Sequence, residues 1–403
     1  MNIANNGLFG QLLSHFPRNE FSQLVAKHQA ERCAKGFSCY TQFVAMLFCH
    51  LARAESLREI CFGLQSCGTK LRHLGLKRAP ARSTLSYANA HRPPELYRDL
   101  FFTVLKRLRA EAGFIPRNHR FRFKNPLLSL DATVISLSLG LFPWSDFNRT
   151  KGGIKVHVVL DHADYLPRYV CVGSVRQHDV QYARSLSLPK GSIVAMDKGY
   201  LDLKMFCRWN AEGVYFVTPE KKHLGYRVCK RNHVKPDSEF VSDEVIELTG
   251  KRGRESYPQR LRRIELDIID TRTMRTRRLV LLTNHLRLAA STIAGIYKER
   301  WQIELFFKAL KQNLTLKNFV GSTPNALETQ IWTAMIAMLL LKWLHYMSQS
   351  RWSLSTLAAT LRLNLFAYRE LQAFLDDPWE PVERPPPPDQ LPLAFAVLDS
   401  RIN

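Results

Sequence analysis

The sequence predicts a mixed α+β protein, and three changes of pattern along the chain support this. Apolar residues recur at three- and four-residue spacing through the first 120 residues, as in helices. Alternating and β-branched segments, typical of strands, follow from residue 121. Helical spacing returns beyond residue 286. We predict a helical N-terminal domain (1–120), the first part of a mixed core (121–219), a β-rich insertion (220–285), the rest of the core with C-terminal helices (286–375) and a proline-rich tail (376–403).

The charge of the chain predicts a polyanionic partner. Its 403 residues include 58 Lys and Arg against 35 Asp and Glu, a formal net charge of +23 at pH 7. Nucleic acid is the first candidate, and a membrane surface is the competitor. No apolar run approaches the roughly 18 residues of a membrane span, and the N-terminus lacks a secretory pattern. The eight cysteines form no Cys-x-x-Cys pair, which favours free thiols in a reducing cytosol.

A basic segment in the helical N-terminal part is a candidate for DNA contact. Ser56 and Glu59 match a capping box at the start of an earlier helix. The basic run that follows contains Lys70, Arg72, His73, Lys77, Arg78 and Arg82. A short helix then opens with Ser83 and Thr84. A helix after a basic turn is typical of a DNA-reading helix, and the alternative is a structural helix beside a solvated turn.

Five strands and two helices are predicted in the first part of the core. The strands cover 127–137, 155–161, 168–175, 192–197 and 214–219, and the helices cover 179–185 and 201–212. Three strands, helix, strand, helix, strand is the order of an RNase H-like fold. The first three strands are close enough in sequence to form an antiparallel meander.

Three acidic residues carry the predicted chemistry. Asp131 lies inside the first strand and Asp197 ends the fourth, and these strands are neighbours in an RNase H-like sheet. Two carboxylates about 4 Å apart repel by ~4 kcal/mol at an effective dielectric of about 20, a penalty that a divalent cation removes. With Glu304 from a later helix, the all-oxygen set suits Mg²⁺ or Mn²⁺ better than Zn²⁺. We predict that the three residues bind metal and catalyse in-line displacement at phosphorus.

The segment Ile296–Leu314 predicts one helix that carries Glu304 between cations. Tyr297, Arg300, Glu304 and Lys311 are spaced so that they lie in one stripe beside an apolar face. Cations beside a carboxylate suit a site that holds phosphates next to a metal. The alternative is a surface helix with ordinary ion pairs.

The spacing Tyr, two residues, Arg, three residues, Glu, six residues, Lys resembles the signature of bacterial insertion-sequence transposases of the IS-four-like DDE family. AspAlaThr (131–133) and AspLysGlyTyr (197–200) resemble the local motifs of that family. The resemblance covers roughly residues 125–345 and extends more loosely to the helical N-terminal domain. It implies that Asp131, Asp197 and Glu304 form the catalytic triad.

The resemblance also implies how such a protein works. Tyr297, Arg300 and Lys311 would contact the transposon end, and the β-rich insertion would help hold that DNA. The partners would be transposon ends and target DNA, with a homodimer in the DNA complex. We expect a cytoplasmic, nucleoid-associated bacterial protein with no membrane partner.

Other polar residues are weaker candidates. Arg149 and Lys151 belong to a basic, Gly-containing turn at 149–155, where a phosphate could approach the backbone. LysArgGlyArg at 251–254 is predicted to form a turn. Six cations of the insertion are candidates for phosphate contact, with solvated surface charge as the alternative: Arg227, Lys230, Arg231, Lys251, Arg252 and Arg254. His178 is a candidate neighbour of the metals.

Two other functions fit the sequence less well than a transposase. An RNase H-like nuclease would cut DNA without joining it, but the signature spacing and the insertion favour the transposase. A non-catalytic DNA-binding protein would not need a charged residue such as Asp131 inside an apolar strand.

Overall fold

The computed structural model describes residues 6–32, 34–111, 121–137, 142, 146–148, 151–175, 178–221, 224–236, 238–269, 274–314, 316 and 318–379. Most of the predicted proline-rich tail therefore lies outside the described residues. Arg149 also lies outside them, and Lys151 is described only in its backbone.

The first part of the chain is helical, as predicted. Its α-helices are α1 (Leu8–Ser14), α2 (Arg18–Lys27), α3 (Cys39–Ala52), α4 (Leu57–Ser66), α5 (Arg82–His91) and α6 (Glu95–Glu111). A 3-10 helix spans Gly68–Leu74. The predicted cap of α4 is confirmed, because the Ser56 hydroxyl accepts a hydrogen bond from the Glu59 N–H at 3.2 Å. The DNA-reading candidate, α5, begins one residue before Ser83.

Ten described strands form one sheet. They are β1 (Leu127–Leu137), β2 (Asp146–Asn148), β3 (Lys151–Asp161), β4 (Leu166–Ser174), β5 (Ile193–Met196), β6 (Tyr215–Pro219), β7 (Tyr226–Arg231), β8 (Phe240–Leu248), β9 (Leu261–Ile269) and β10 (Thr276–Thr283). The order is β2-β3-β1-β5-β6-β10-β9-β8-β7, and β4 pairs with β3.

The connectivity of the core strands is RNase H-like, as predicted. β1, β3 and β4 form an antiparallel meander, and β5 and β6 run parallel to β1 in the order β4-β3-β1-β5-β6. The crossovers contain α7 (Asp179–Ser185), a 3-10 helix (Lys198–Tyr200) and α8 (Leu203–Ala211).

The turn predicted for 149–155 is wrong over residues 151–155. These residues begin β3 instead, because Gly152 and Gly153 continue the β1 ladder opposite Leu137 and Ser136.

The β-rich insertion continues the core sheet. β10 pairs antiparallel with β6, and β9, β8 and β7 follow in order to the edge. The turn predicted for 251–254 is wrong, because this segment begins a short helix, α9 (Lys251–Ser256). The Arg254 N–H donates to the Gly250 carbonyl at 2.9 Å, a bond of α-helical spacing that closes its first turn.

The single helix predicted over Ile296–Leu314 is also wrong. The structure has α10 (Ala290–Glu299) and α11 (Trp301–Asn313), which meet at Arg300. The Arg300 N–H bonds to the Tyr297 carbonyl at 3.2 Å, and the Ile303 N–H bonds to the Arg300 carbonyl at 3.1 Å. These bonds have 3-10 spacing and tighten the chain at the junction. Glu304 and Lys311 are thus on α11, whereas Tyr297 is on α10.

The remaining helices are α12 (Pro324–Met347), α13 (Leu354–Asn364) and α14 (Leu371–Asp376). Buried residues of α12 belong to the same hydrophobic core as Val156 and Val158 of β3. This agrees with the predicted position of the helix under the sheet. However, α12 also packs against α3, α5 and α6, so the N-terminal helices share its core. Although α12 has 24 residues, no described helix is both long and apolar enough to cross a bilayer.

Candidate active site

Asp131 and Asp197 lie on neighbouring strands at one edge of the sheet. The last register pair between the parallel strands β1 and β5 joins Leu130 to Met196. Each aspartate is the next residue, so both lie at the carboxyl ends of this pairing. The sequence-based expectation that the first and fourth strands bring these residues together agrees with this register.

Arg300 connects Asp131 to Glu304. Its Nη1 donates to Asp131 Oδ2 at 3.3 Å, and its Nη2 donates to Glu304 Oε1 at 2.5 Å. The Arg300 side chain is only 14% exposed. Its Nε has no hydrogen-bond partner among the described residues. The guanidinium at the α10–α11 junction therefore lies between a strand carboxylate and a helix carboxylate.

The charges of Glu304 and Asp197 act on the Asp131 carboxyl. Burial raises the pKa of Asp131 to about 6, and the negative charges of Glu304 and Asp197 add to the increase. A hydrogen bond from the Ala132 N–H, at 2.8 Å, and the charge of Arg300 oppose it. The site thus has more negative charge than its one guanidinium neutralises.

The three carboxylates lie near each other without forming a ready coordination sphere. Among the described residues, no group of three Asp, Glu, His or Cys side chains is close enough to hold a metal as it stands. The set offers only carboxylate oxygens, which are ligands of hard cations such as Mg²⁺. Burial and, to a smaller degree, the charges of Glu304 and Asp197 raise the pKa of Asp131, so an added cation at this position would be favourable.

Tyr297 and Lys311 each contact a group close to the candidate site. The Arg300 guanidinium carbon is 5.7 Å from the centroid of the Tyr297 ring, within the range of a cation–π contact. Lys311 Nζ donates to the Val134 carbonyl of β1 at 2.9 Å. Burial lowers the pKa of Lys311. Lys311 therefore holds α11 against the strand that carries Asp131.

Tyr200 is a buried neighbour of the site that sequence reasoning did not single out. It is 2% exposed, and its hydroxyl has no partner among the described residues. Burial raises its pKa, and the charges of Asp179, Asp131 and Asp197 raise it further. Its position in AspLysGlyTyr was the available signal. The predicted approach of His178 to the metals stays a prediction.

Several cations of the insertion already bind protein groups. Arg227 pairs with Glu247 at 2.7 Å, and Arg231 pairs with Glu244 at 3.2 Å. Arg254 Nε donates to the Leu248 carbonyl at 3.2 Å. Phosphate contact by these three arginines would have to compete with those bonds. For the other three candidates, Lys230, Lys251 and Arg252, phosphate contact stays a prediction.

The fold agrees with the match to known families. Residues 122–340 match the family described as a transposase DDE domain, and residues 4–77 match a domain of unknown function, DUF4372. The chain belongs to the DDE transposase family. Its function is therefore that of a DNA transposase, for which a two-metal mechanism is general.

The chain resembles several proteins that bear transposase names. It is 30% identical to y4zB of Sinorhizobium fredii, across 77% of this chain and 82% of the relative. It is 27% identical to a protein of Geobacillus stearothermophilus named for insertion sequence element IS5377, across 58% of this chain and 60% of the relative. A solved synaptic complex of piggyBac transposase with hairpin DNA covers 89% of this chain and 78% of its own, with 11% identity and a TM-score of 0.39.

Proposed function

We propose that this chain cuts DNA at the ends of an insertion sequence and joins those ends to target DNA, with Asp131, Asp197 and Glu304 as the catalytic carboxylates. The observation that carries the proposal is the position of Arg300. Its guanidinium contacts both Asp131 and Glu304, while the β1–β5 register places Asp197 beside Asp131. Acidic residues from two strands and one helix thus converge at one edge of the sheet. Relatives named for insertion sequence elements support the choice of substrate.

The same residues fit a divalent metal, Mg²⁺ or Mn²⁺. Asp131, Asp197 and Glu304 would hold it, because they provide oxygen ligands and an unneutralised negative charge. When bound, two such ions activate the attacking hydroxyl or water and stabilise the leaving oxygen. Without the metal, Arg300 pairs with Asp131 and Glu304 and neutralises them in part. Its planar guanidinium suits a phosphate as well as a carboxylate, so it would exchange these partners for a DNA phosphate.

DNA contact would extend from the site in two directions. The transposon end would be contacted by Tyr297, Arg300 and Lys311, and also by Arg149 and Lys151. On the N-terminal side, α5 presents exposed residues after the basic run, including Arg82, Ser83, Ser86 and Tyr87. A hydroxyl- and arginine-bearing helix face can bind phosphates and base edges. Two transposon ends require two active sites, so the complex would contain a homodimer.

The test is strand chemistry on a duplex carrying the sequence that flanks this chain's own gene. We expect nicking at the element boundary and a joined product with target DNA, both dependent on Mg²⁺ or Mn²⁺. Cleavage without a joined product would support a nuclease instead. Tight binding without strand chemistry in either metal would support a non-catalytic DNA-binding protein.

A further inference from the structure

Strand β10 extends beyond β6, its neighbour in the core. The extension is on the side of the sheet where the carboxyl ends of β1 and β5 carry the acidic residues. β10 and β6 are antiparallel, and Leu281 lies opposite Pro219, the last residue of β6. The β5–β6 register brings Asp197 to the level of Pro219. Arg277 is four residues further along β10, or roughly 13 Å past this level, and two strand spacings, about 10 Å, to the side. That separation corresponds to several nucleotides of DNA.

The side chain of Arg277 lies on the same face of the sheet as α10. Arg277, Leu279 and Leu281 alternate on one face of β10. Leu279 and Leu281 pack against Ile293 and Ile296 of α10, so Arg277 is directed to that side. The charge of Arg277 also acts on Tyr297, the residue of α10 that follows Ile296. Burial raises the pKa of Tyr297, and the charges of Arg300 and Arg277 partly lower it.

Arg277 differs from its neighbour Arg278 in having no acidic partner among the described residues. Arg278 is on the opposite face and pairs with Glu265 and with Asp267, each at 2.6 Å. Arg277 is exposed and forms no ion pair with any described residue. Arg275, also exposed, adds a second positive charge two residues away. Arg278 is thus paired within the protein, whereas the adjacent Arg277 has no ion pair with a described residue.

We infer that Arg277 binds a backbone phosphate of the DNA strand that runs from the acidic site across β10. The inference rests on the proposed function, because it takes the acidic site as the place where that strand is cut. The chemistry that favours a phosphate is the exposed guanidinium, which has no ion pair with a described residue and whose charge acts on Tyr297. This contact would position the strand without reading its sequence.

The experiment compares Arg277→Ala with Arg278→Ala on a duplex carrying the element end. Binding constants are measured over a range of salt concentrations. Loss of one phosphate contact should reduce the slope of log K against log salt by about one, and weaken binding similarly for any sequence. Arg278→Ala should keep the wild-type slope, and Arg277→Lys should also keep it because the charge remains.

Phosphate-ethylation interference provides the local readout. We expect one phosphate, several nucleotides from the cleavage position, at which ethylation inhibits binding by the wild type but not by Arg277→Ala. An unchanged slope, or equal losses in Arg277→Ala and Arg278→Ala, would overturn the inference. Failure of the proposed function would look different, because the wild type would then bind the duplex without cutting it in Mg²⁺. If Arg277→Ala does not fold, Arg277→Gln, which keeps a polar side chain of similar reach, decides the question.

Discussion

The outer strands β7–β9 and the strand pair β1–β5 belong to one sheet, and both regions contain acidic side chains. In the outer strands, arginines neutralise those acids. Hydrogen bonds from Arg227 and Arg260 lower the pKa of Glu247 to about 2. At the carboxyl ends of β1 and β5, called the inner edge below, burial and neighbouring negative charges raise the pKa of Asp131 to about 6. The pKa of a carboxyl group is thus lowered in the outer strands and raised at the inner edge.

This difference in pKa distinguishes acidic residues that stabilise the fold from acidic residues that we propose bind a ligand. The outer acids have arginine partners across the strands, so their charges are satisfied within the protein. At the candidate site, Asp131 and Glu304 share one arginine, Arg300, and remain under-neutralised. We therefore expect substitutions in the outer strands to change stability and substitutions at the inner edge to change DNA chemistry.

The largest expected effect is at the inner edge. Asp131→Ala or Asp197→Ala should reduce the strand-cleavage rate on the element end by about 10³-fold or more, because each removes a proposed metal ligand worth several kcal/mol in the transition state. DNA binding should change little. The measurement is the single-turnover cleavage rate, with a binding assay as control. Near-normal cleavage by either variant would remove that aspartate from the site.

The next largest effect should lie in the outer strands. Arg262 and Asp243 are each 5% exposed and form a two-point contact, with Nε–Oδ1 at 2.7 Å and Nη2–Oδ2 at 2.6 Å. Arg262→Ala should destabilise the fold by about 3–5 kcal/mol, because it leaves a buried carboxylate without its counter-charge and with the neutral Asn232 amide as its remaining side-chain donor among the described residues. Arg227→Ala, which breaks an exposed pair, should cost less than about 1 kcal/mol. Denaturant unfolding measures both, and equal losses would contradict the distinction between the two pairs.

The smallest expected effect concerns DNA binding by the cations of the site. Arg300→Ala should reduce the salt slope of end binding by about one, because Arg300 is proposed to bind a phosphate. Lys311→Ala should reduce the slope less, since Lys311 Nζ is already bonded to the Val134 carbonyl. A larger loss for Lys311→Ala than for Arg300→Ala would reverse this ranking.

The core of the fold could be predicted from the sequence because strand periodicity and the order of elements are local properties of the chain. Strand periodicity and the order of elements indicated β1, β3–β6 and their RNase H-like connectivity. Asp131 stood out as a charge inside an apolar strand, and Asp197 as the end of another. The position of Glu304 followed from its spacing to Tyr297 and Arg300.

What the sequence did not predict depends on register and backbone geometry. The break at Arg300 changes the hydrogen-bond spacing without any proline or glycine at the junction to indicate it. The neutralisation of Arg227 and Arg231 depends on which residues face them on β8. The proximity of Arg277 to the site requires knowing where β6 ends against β10. Each of these features is fixed by tertiary pairing.

The most direct test replaces one carboxylate at the candidate active site and one in the outer strands. Glu304→Gln and Glu247→Gln both remove one negative charge and keep the size of the side chain. Metal-dependent cleavage and joining of the element end is then measured for both variants and the wild type. We predict that Glu304→Gln binds DNA but neither cuts nor joins it, while Glu247→Gln retains both activities. Normal cleavage by Glu304→Gln, or its loss in Glu247→Gln, would contradict the assignment of catalysis to the inner edge.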